Sequence, residues 1–420
     1  PQIKSQDHYL WNKKSSITLT LSDDVGIKSY QALLSDGENR VVVAEGVLPE
    51  NTTSYQLKIS YPKSSDLSPK AKHLKLKVSI TDQSLWHMME GNKAEKSMDI
   101  FVDTKRPKVK ILSHSYSITQ GGSALVVVQV EDANLNRVFI STPGKNFVLQ
   151  PYKSEGYYAA LIAWPFRDET FEAKVVADDR AGNHTYKTIP FYTKKHNYKV
   201  SWIRAKDRFI DGKITDLVES DETYENIDDR LEKLRAINET MRLKNEDVIH
   251  SLSAQVSDTL LEKWSVKRFY PLKNGAKVAS FGDKRYYYYK DKNQKVSTSY
   301  HLGYDLASTK MATIRSSNKG KVVFSAYNGI YGNMPMIDHG LGLYSLYGHC
   351  SQLLVHEGDE VKDGAAIAKT GTSGLALGDH LHFGVLVQGI EVRPVEWFDS
   401  NWIKLNIDDI FKEADKMIGS

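Results

Sequence analysis

"GDHLHFGV", residues 378–385, decides how the C-terminal third of the chain folds. It is a short apolar run that follows a glycine-containing stretch, and two histidines stand in it one residue apart. Such a run, bounded by turn residues, reads as a buried β-strand. Side chains alternate faces along a strand, so His380 and His382 project the same way. Two imidazoles on one apolar face are either a costly accident of burial or half of a metal site.

Working outward, six of the 13 histidines stand at positions 301, 339, 349, 356, 380 and 382. "HLGYD" places His301 four residues before Asp305, with Gly303 between them, which favours a tight strand or loop over a helix. His301, Asp305 and one of the 380/382 pair amount to two imidazoles and a carboxylate. Three such ligands with a fourth position open to water suit a catalytic zinc rather than a closed structural site. His339 in "IDHG" and His356 in "VHEG" sit at turns and read as structural.

Composition narrows the classes. The 420 residues predict two to four domains, and 40% hydrophobic with 26% charged residues is ordinary for a folded soluble protein. Lys+Arg at 56 against Asp+Glu at 52 gives +4, with no basic run, which argues against a dedicated nucleic-acid binder. No apolar stretch approaches the length of a membrane span. The chain starts with Pro1, so an export leader or N-terminal anchor is expected to lie outside it. Cys350 is the single cysteine, so no intrachain disulfide forms.

The first two hundred residues alternate apolar and polar residues between turn signals. "SSITLTLSDDVGIKSYQALLSDG" and "ALVVVQVEDANLNRVFISTPG" share this pattern, as do "KLKVSITDQS" and "AKVVADDRAGN". This predicts two immunoglobulin-like β-sandwich modules, 1–105 and 106–204, joined at "VDTKRP". The 205–264 stretch predicts a helical connector: Ile227, Leu231, Leu234, Ile237 and Met241 form a helical stripe, with helices expected over 222–263 and Asp221 or Thr223 as cap. Residues 265–400 read as an antiparallel β domain and 401–420 as a helical tail. The fold class is mainly β with a helical segment.

"ASFGDKR", "HLGYDLA", "GKVVFSAYNGIYGNMPMIDHGLGLYSLYGHCS" and "VHEGDEVKDGAAIAKTGTSGLALGDHLHFGVLVQGIEVRP" occur in that order. Over about residues 270–400 they resemble the catalytic domain of lysostaphin/LytM-type zinc metallopeptidases, in the arrangement of exported Gram-negative members. The resemblance implies one zinc ion per chain held by His301, Asp305 and His382. It implies His349 and His380 as catalytic histidines that are not ligands. A neutral imidazole can take a proton from water, and an imidazole can hydrogen-bond an oxyanion or protonate a leaving amine. No H-E-x-x-H motif supplies a glutamate base. Two positions depart from the family pattern: Gly384 stands where many members have Glu, and Cys350 where Leu is usual.

The function implied is a zinc-dependent endopeptidase of peptidoglycan stems or cross-links, with the D-alanyl to diaminopimelate bond favoured, acting in wall remodelling or cell shape. The expected location is the periplasm, with anchoring to the inner membrane by a segment outside this chain. The expected partners are peptidoglycan and cell-wall or shape-complex proteins. One alternative is a non-catalytic wall-binding scaffold or amidase activator; another is an enzyme autoinhibited by its helical segment. In "RYYYYKD" (285–291) and around it, tyrosines cluster, and Tyr300, Tyr304 and Tyr331 are candidates for a substrate groove. Cys350 beside His349 is no cysteine-protease pair, because adjacent strand residues face opposite sides.

Overall fold

Alternation is strict in the first strands. In Ile17–Ser22, Ile17, Leu19 and Leu21 are buried and the residues between them are not. The computed structural model describes residues 1–84 and 90–419; residues 85–89 of the expected first module and Ser420 of the expected tail lie outside the described residues. The chain divides into two units. The first comprises Pro1–Val109, Glu131–Val138 and Val176–Tyr186; the second comprises Lys110–Val130, Phe139–Val175 and Lys187–Ser420.

In the first unit a five-stranded sheet runs in the order His8–Trp11, Lys93–Val102, His73–Asp82, Ile27–Ser35, Arg40–Val47. A three-stranded sheet places Ile17–Ser22 between Gln2–Lys4 and Ser54–Ile59. The inward residues of both sheets, among them Leu19, Leu57, Leu34, Leu76, Val78 and Ile100, make one core. That is the packing expected of a β-sandwich, where alternate residues of two sheets meet face to face.

The second unit contains an eight-stranded sheet. Its order is Ala276–Ala279, Tyr304–Ala307, Leu381–Val387, Leu343–Gly348, Asn333–Asp338, Gly320–Tyr327, Glu360–Val361, with Ile390–Val392 also paired to Leu381–Val387. Leu381–Val387 is buried at every position, so it reads as continuous rather than alternating apolar sequence. A smaller sheet joins Val200–Arg204, Lys284–Tyr288 and Lys295–Tyr300. In the same unit residues 123–129 pair antiparallel with Tyr157–Ala163, with Val126 opposite Ala160. Gln388 reaches this pair and donates to the carbonyls of Val148 and Leu161 at 2.9 and 3.1 Å.

The helices differ from the expected 222–263. One helical stretch begins earlier, at Asp207, and runs to Glu219; the main run spans Arg230–Arg235, Ala236–Met241 and Arg242–Ser253, with a π-turn in the middle. Asp229 caps the main run by accepting from the N–H groups of Leu231 and Glu232 at 2.9 and 2.8 Å. Asp221 caps only the single turn Glu222–Tyr224. Beyond Ser253 the backbone is drawn out of the helix by tertiary bonds: the Tyr344 hydroxyl donates to the Gln255 carbonyl at 2.8 Å, and the Trp264 indole donates to the His339 carbonyl at 2.8 Å.

The stripe seen in the sequence is real. Leu234, Ile237 and Met241 are buried in one core with Met334, Met336, Leu346 and Leu386 of the large sheet. Gly384 lies on this packed face. A Cβ there would meet Leu346 Cγ at 2.7 Å, so the space a larger residue would need is taken. No helix among the described residues is long and apolar enough to cross a membrane.

Candidate metal and catalytic site

Strand register builds the site. On neighbouring antiparallel strands Asp305 stands directly opposite His382, and His382 in turn stands opposite Gly348, which precedes His349. His301 arrives from another sheet: its strand ends at Tyr300, and the turn through Leu302 and Gly303 carries the chain into Tyr304–Ala307. The four-residue spacing of His301 and Asp305 therefore spans a turn between two strands.

The three expected ligands are brought together. His301 Nε2 and His382 Nδ1 each lie 2.9 Å from Asp305 Oδ1 and 3.1 Å from one another. All three residues are buried. The His301 ring donates from Nδ1 to the Ser280 carbonyl at 2.8 Å, which leaves its Nε2 lone pair facing the group. Lone pairs of nitrogen and carboxylate oxygen crowded this closely repel unless a proton or cation sits among them. The donor set is nitrogen and oxygen at near-tetrahedral spacing (roughly 3.3 Å between ligands of a zinc ion). The residues fit a zinc ion. Burial alone would raise the Asp305 carboxyl, but the His301 and His382 rings beside it outweigh that and hold it well below the usual range. Burial pushes the His382 ring down to about 4.

His349 and His380 flank the group with ring centroids 4.9 Å apart. Neither belongs to the three-residue donor cluster. His349 Nδ1 donates to the Ser373 carbonyl at 2.9 Å and His380 Nδ1 to the Gly378 carbonyl at 2.7 Å. A carbonyl only accepts, so in each ring Nδ1 carries a proton and Nε2 is the nitrogen left for other partners. His380 Nε2 is 3.8 Å from Asp305 Oδ2. Burial, together with the nearby His382 and His380, pushes the His349 ring well below its ordinary value, so it is uncharged at neutral pH. His349 takes a left-handed backbone, φ +64°, and its N–H donates to the Tyr331 carbonyl at 2.7 Å.

These five residues line a cavity of about 520 Å³. Tyr331 lines it too, and its ring packs edge-on to His382 with centroids 5.5 Å apart. Tyr300 and Tyr304 are not among the lining residues. The Tyr300 ring is covered by the Arg167 guanidinium at 4.2 Å and by Phe166, and Tyr304 packs on Phe398. From the tyrosine run only Tyr287 reaches the cavity. His339 is buried, donates to or accepts from Ser345 Oγ at 2.7 Å and lies outside the cavity. The buried Cys350 thiol is pushed up by burial and sits against the Tyr347 carbonyl, so it is no nucleophile. The sequence reading missed Arg242 and Arg285 of the lining, and the carbonyls of Ser280, Ser373 and Gly378. Backbone acceptors carry no side-chain signature.

The helical segment contributes wall to the cavity. Phe209 and Arg242 line the cavity. No hydrogen bond joins a side chain of that segment to His301, Asp305 or His382 among the described residues.

Residues 299–394 match Peptidase family M23. Over 95 residues the chain is 37% identical to a DD-carboxypeptidase/endopeptidase, Mpg, of Neisseria meningitidis, covering 23% of this chain and 22% of that protein. Over 96 residues it is 38% identical to the peptidoglycan DD-endopeptidase ShyB of Vibrio cholerae, covering 23% of this chain and 22% of that protein. Over 97 residues it is 36% identical to the murein hydrolase activator NlpD of Salmonella dublin, covering 23% of this chain and 25% of that protein. The chain thus spans about a quarter or less of the curated relatives it matches.

Proposed function

From a chain that carries a Peptidase family M23 domain over residues 299–394, we propose a zinc-dependent endopeptidase that cuts peptide stems or cross-links of peptidoglycan in the periplasm. The D-alanyl to diaminopimelate bond is the favoured target, in keeping with the two relatives named for DD-peptidase activity. The observation that carries the reading is the complete set: a buried His301–Asp305–His382 group with two carbonyl-anchored imidazoles beside it in one cavity.

Zinc bound at His301, Asp305 and His382 would supply Lewis acidity toward a peptide carbonyl. The chain's own residues do the rest. His349, uncharged and with Nε2 free, accepts a proton from the attacking water. His380 presents its Nε2 to the same space, where it hydrogen-bonds the developing oxyanion or passes a proton to the leaving amine. Ile203, Phe209 and Leu375 give the cavity an apolar wall.

The similarity to a named hydrolase activator favours a second reading, a wall-binding scaffold without turnover. The intact donor set and histidine pair weigh against it. The zinc-loaded protein, incubated with diaminopimelate-type peptidoglycan, should convert cross-linked muropeptide dimers to monomers by mass, and His301→Ala should not. Dimers left intact by both proteins would favour the scaffold.

A further inference from the structure

The cavity is lopsided in charge. Its lining holds the cations Arg204, Lys206, Arg208, Arg242 and Arg285, against the carboxylates of Asp305 and Asp379. Asp305 belongs to the metal group. Asp379 is taken up by the Thr370 hydroxyl at 2.5 Å and the Met311 N–H at 3.1 Å. Arg204, Lys206, Arg208 and Arg242 form no ion pair among the described residues.

Two of these cations are held in position. Arg242 donates from Nε to the Asn238 carbonyl at 3.0 Å and from Nη2 to Asn238 Oδ1 at 3.1 Å, which fixes the guanidinium along one edge. Arg285 donates from Nε to the buried Asp283 at 3.3 Å, and the Asp283 carbonyl accepts the His301 N–H at 3.0 Å. Arg285 also stands opposite Ser299, two residues before His301. The arginine and the metal ligand are thus built from the same hairpin end. Val200–Arg204 pairs in parallel beside this hairpin, with Ile203 opposite Tyr287, and so adds Arg204 to the rim. A guanidinium fixed along one edge offers its remaining N–H groups as a planar fork to an anion.

We infer that the Arg204–Lys206–Arg208–Arg242–Arg285 wall is a carboxylate-binding subsite, and that the peptide taken into this cavity carries a free carboxyl group beside the bond presented to the His301–Asp305–His382 group. The inference rests on the peptidase reading for the nature of the ligand. It deepens that reading, because it makes an acidic peptide the substrate and an amidated one a poor fit. The planar fork of a fixed arginine matches a carboxylate bidentately.

Binding and cleavage are measured separately on the full zinc-loaded chain. The ligands are a cross-linked stem peptide with its carboxyls free and the same peptide with its carboxyls amidated. In calorimetry the free peptide should bind at least about tenfold more tightly than the amidated one. The gap should close in Arg204→Gln/Arg208→Gln, whose exposed side chains leave the fold intact, and in Arg285→Gln. Equal binding of the two peptides overturns the subsite, whatever the cleavage result. So does inorganic phosphate displacing the free peptide at equal concentration, since a general anion funnel then accounts for the wall. Discrimination in binding with no cleavage supports the subsite and counts against the peptidase reading. Cleavage together with equal binding does the reverse.

Discussion

Asn245 Oδ1 accepts the backbone N–H of Ile330 at 2.9 Å. This bond ties the helical run to the turn Gly329–Tyr331, whose tyrosine packs against His382. The Asn328 side chain returns a bond to the Asn245 carbonyl at 3.1 Å, and Glu239 Oε1 accepts the Thr298 N–H at 2.9 Å. The helices and the sheet therefore behave as one folded body. Removal of residues 1–264 exposes Met334, Met336, Leu346 and Leu386 to water. The truncated chain is expected to aggregate or to lack a cooperative melt, rather than gain activity. Asn245→Ala, which leaves one buried N–H unpaired, should cost about 1–2 kcal/mol, a fall of roughly 2–4 °C in Tm per kcal/mol. A soluble, more active truncation would show that the segment is a detachable lid.

The ligand and non-ligand histidines should part company on metal content. His301→Ala, Asp305→Ala and His382→Ala each remove one arm of the donor group and should lose zinc on dialysis. His349→Ala and His380→Ala should keep one zinc per chain while turnover falls by about 10²–10⁴-fold. Metal analysis beside a muropeptide assay reads both. Zinc lost from His349→Ala would make His349 a ligand and refute the division of roles.

Gly303 bears on the same group through space alone. A Cβ at this position would overlap the His382 ring at Cε1 and Nε2 and approach the Phe383 carbonyl at 2.9 Å. Gly303→Ala should displace His382 and weaken zinc affinity by about tenfold or more, as loss of ligand support does. The check is competition for zinc against a chromogenic chelator. An unchanged affinity would mean that the turn relaxes without moving His382.

Glu396 carries a pH dependence that is separate from the site. Burial pushes its carboxyl up to about 7 from 4.5, against the opposing pull of Arg393 and the Ser123 N–H. The folded chain thus holds a proton that the unfolded chain has released, and stability falls as pH rises from about 4.5 to about 7. His339 acts in the opposite sense. Burial holds it down to about 4 from 6.5, so stability is lost as pH falls through that interval. Comparison with Glu396→Gln isolates the glutamate. The variant's Tm should gain on the wild type as pH goes from 5 to 8; parallel Tm curves would show that Glu396 is not held protonated.

Residue types and spacing pointed to His301, Asp305 and one of His380 and His382, the family resemblance added His349, and the structure brings all five to one cavity. Strands such as Ile17–Ser22 and the stripe Leu234, Ile237 and Met241 were legible too, because burial there follows a local period. Other features depended on partners far along the chain. The register that sets Asp305 opposite His382, the carbonyls that fix each imidazole's free nitrogen and the end of the helix at Ser253 were decided only by tertiary contacts. So were the covering of the Tyr300 ring by Arg167 and the arrival of Arg204 and Arg242 at the cavity. Local sequence sets which face a side chain takes, since that depends on its immediate neighbours. What that face meets depends on non-local packing, which no short stretch encodes.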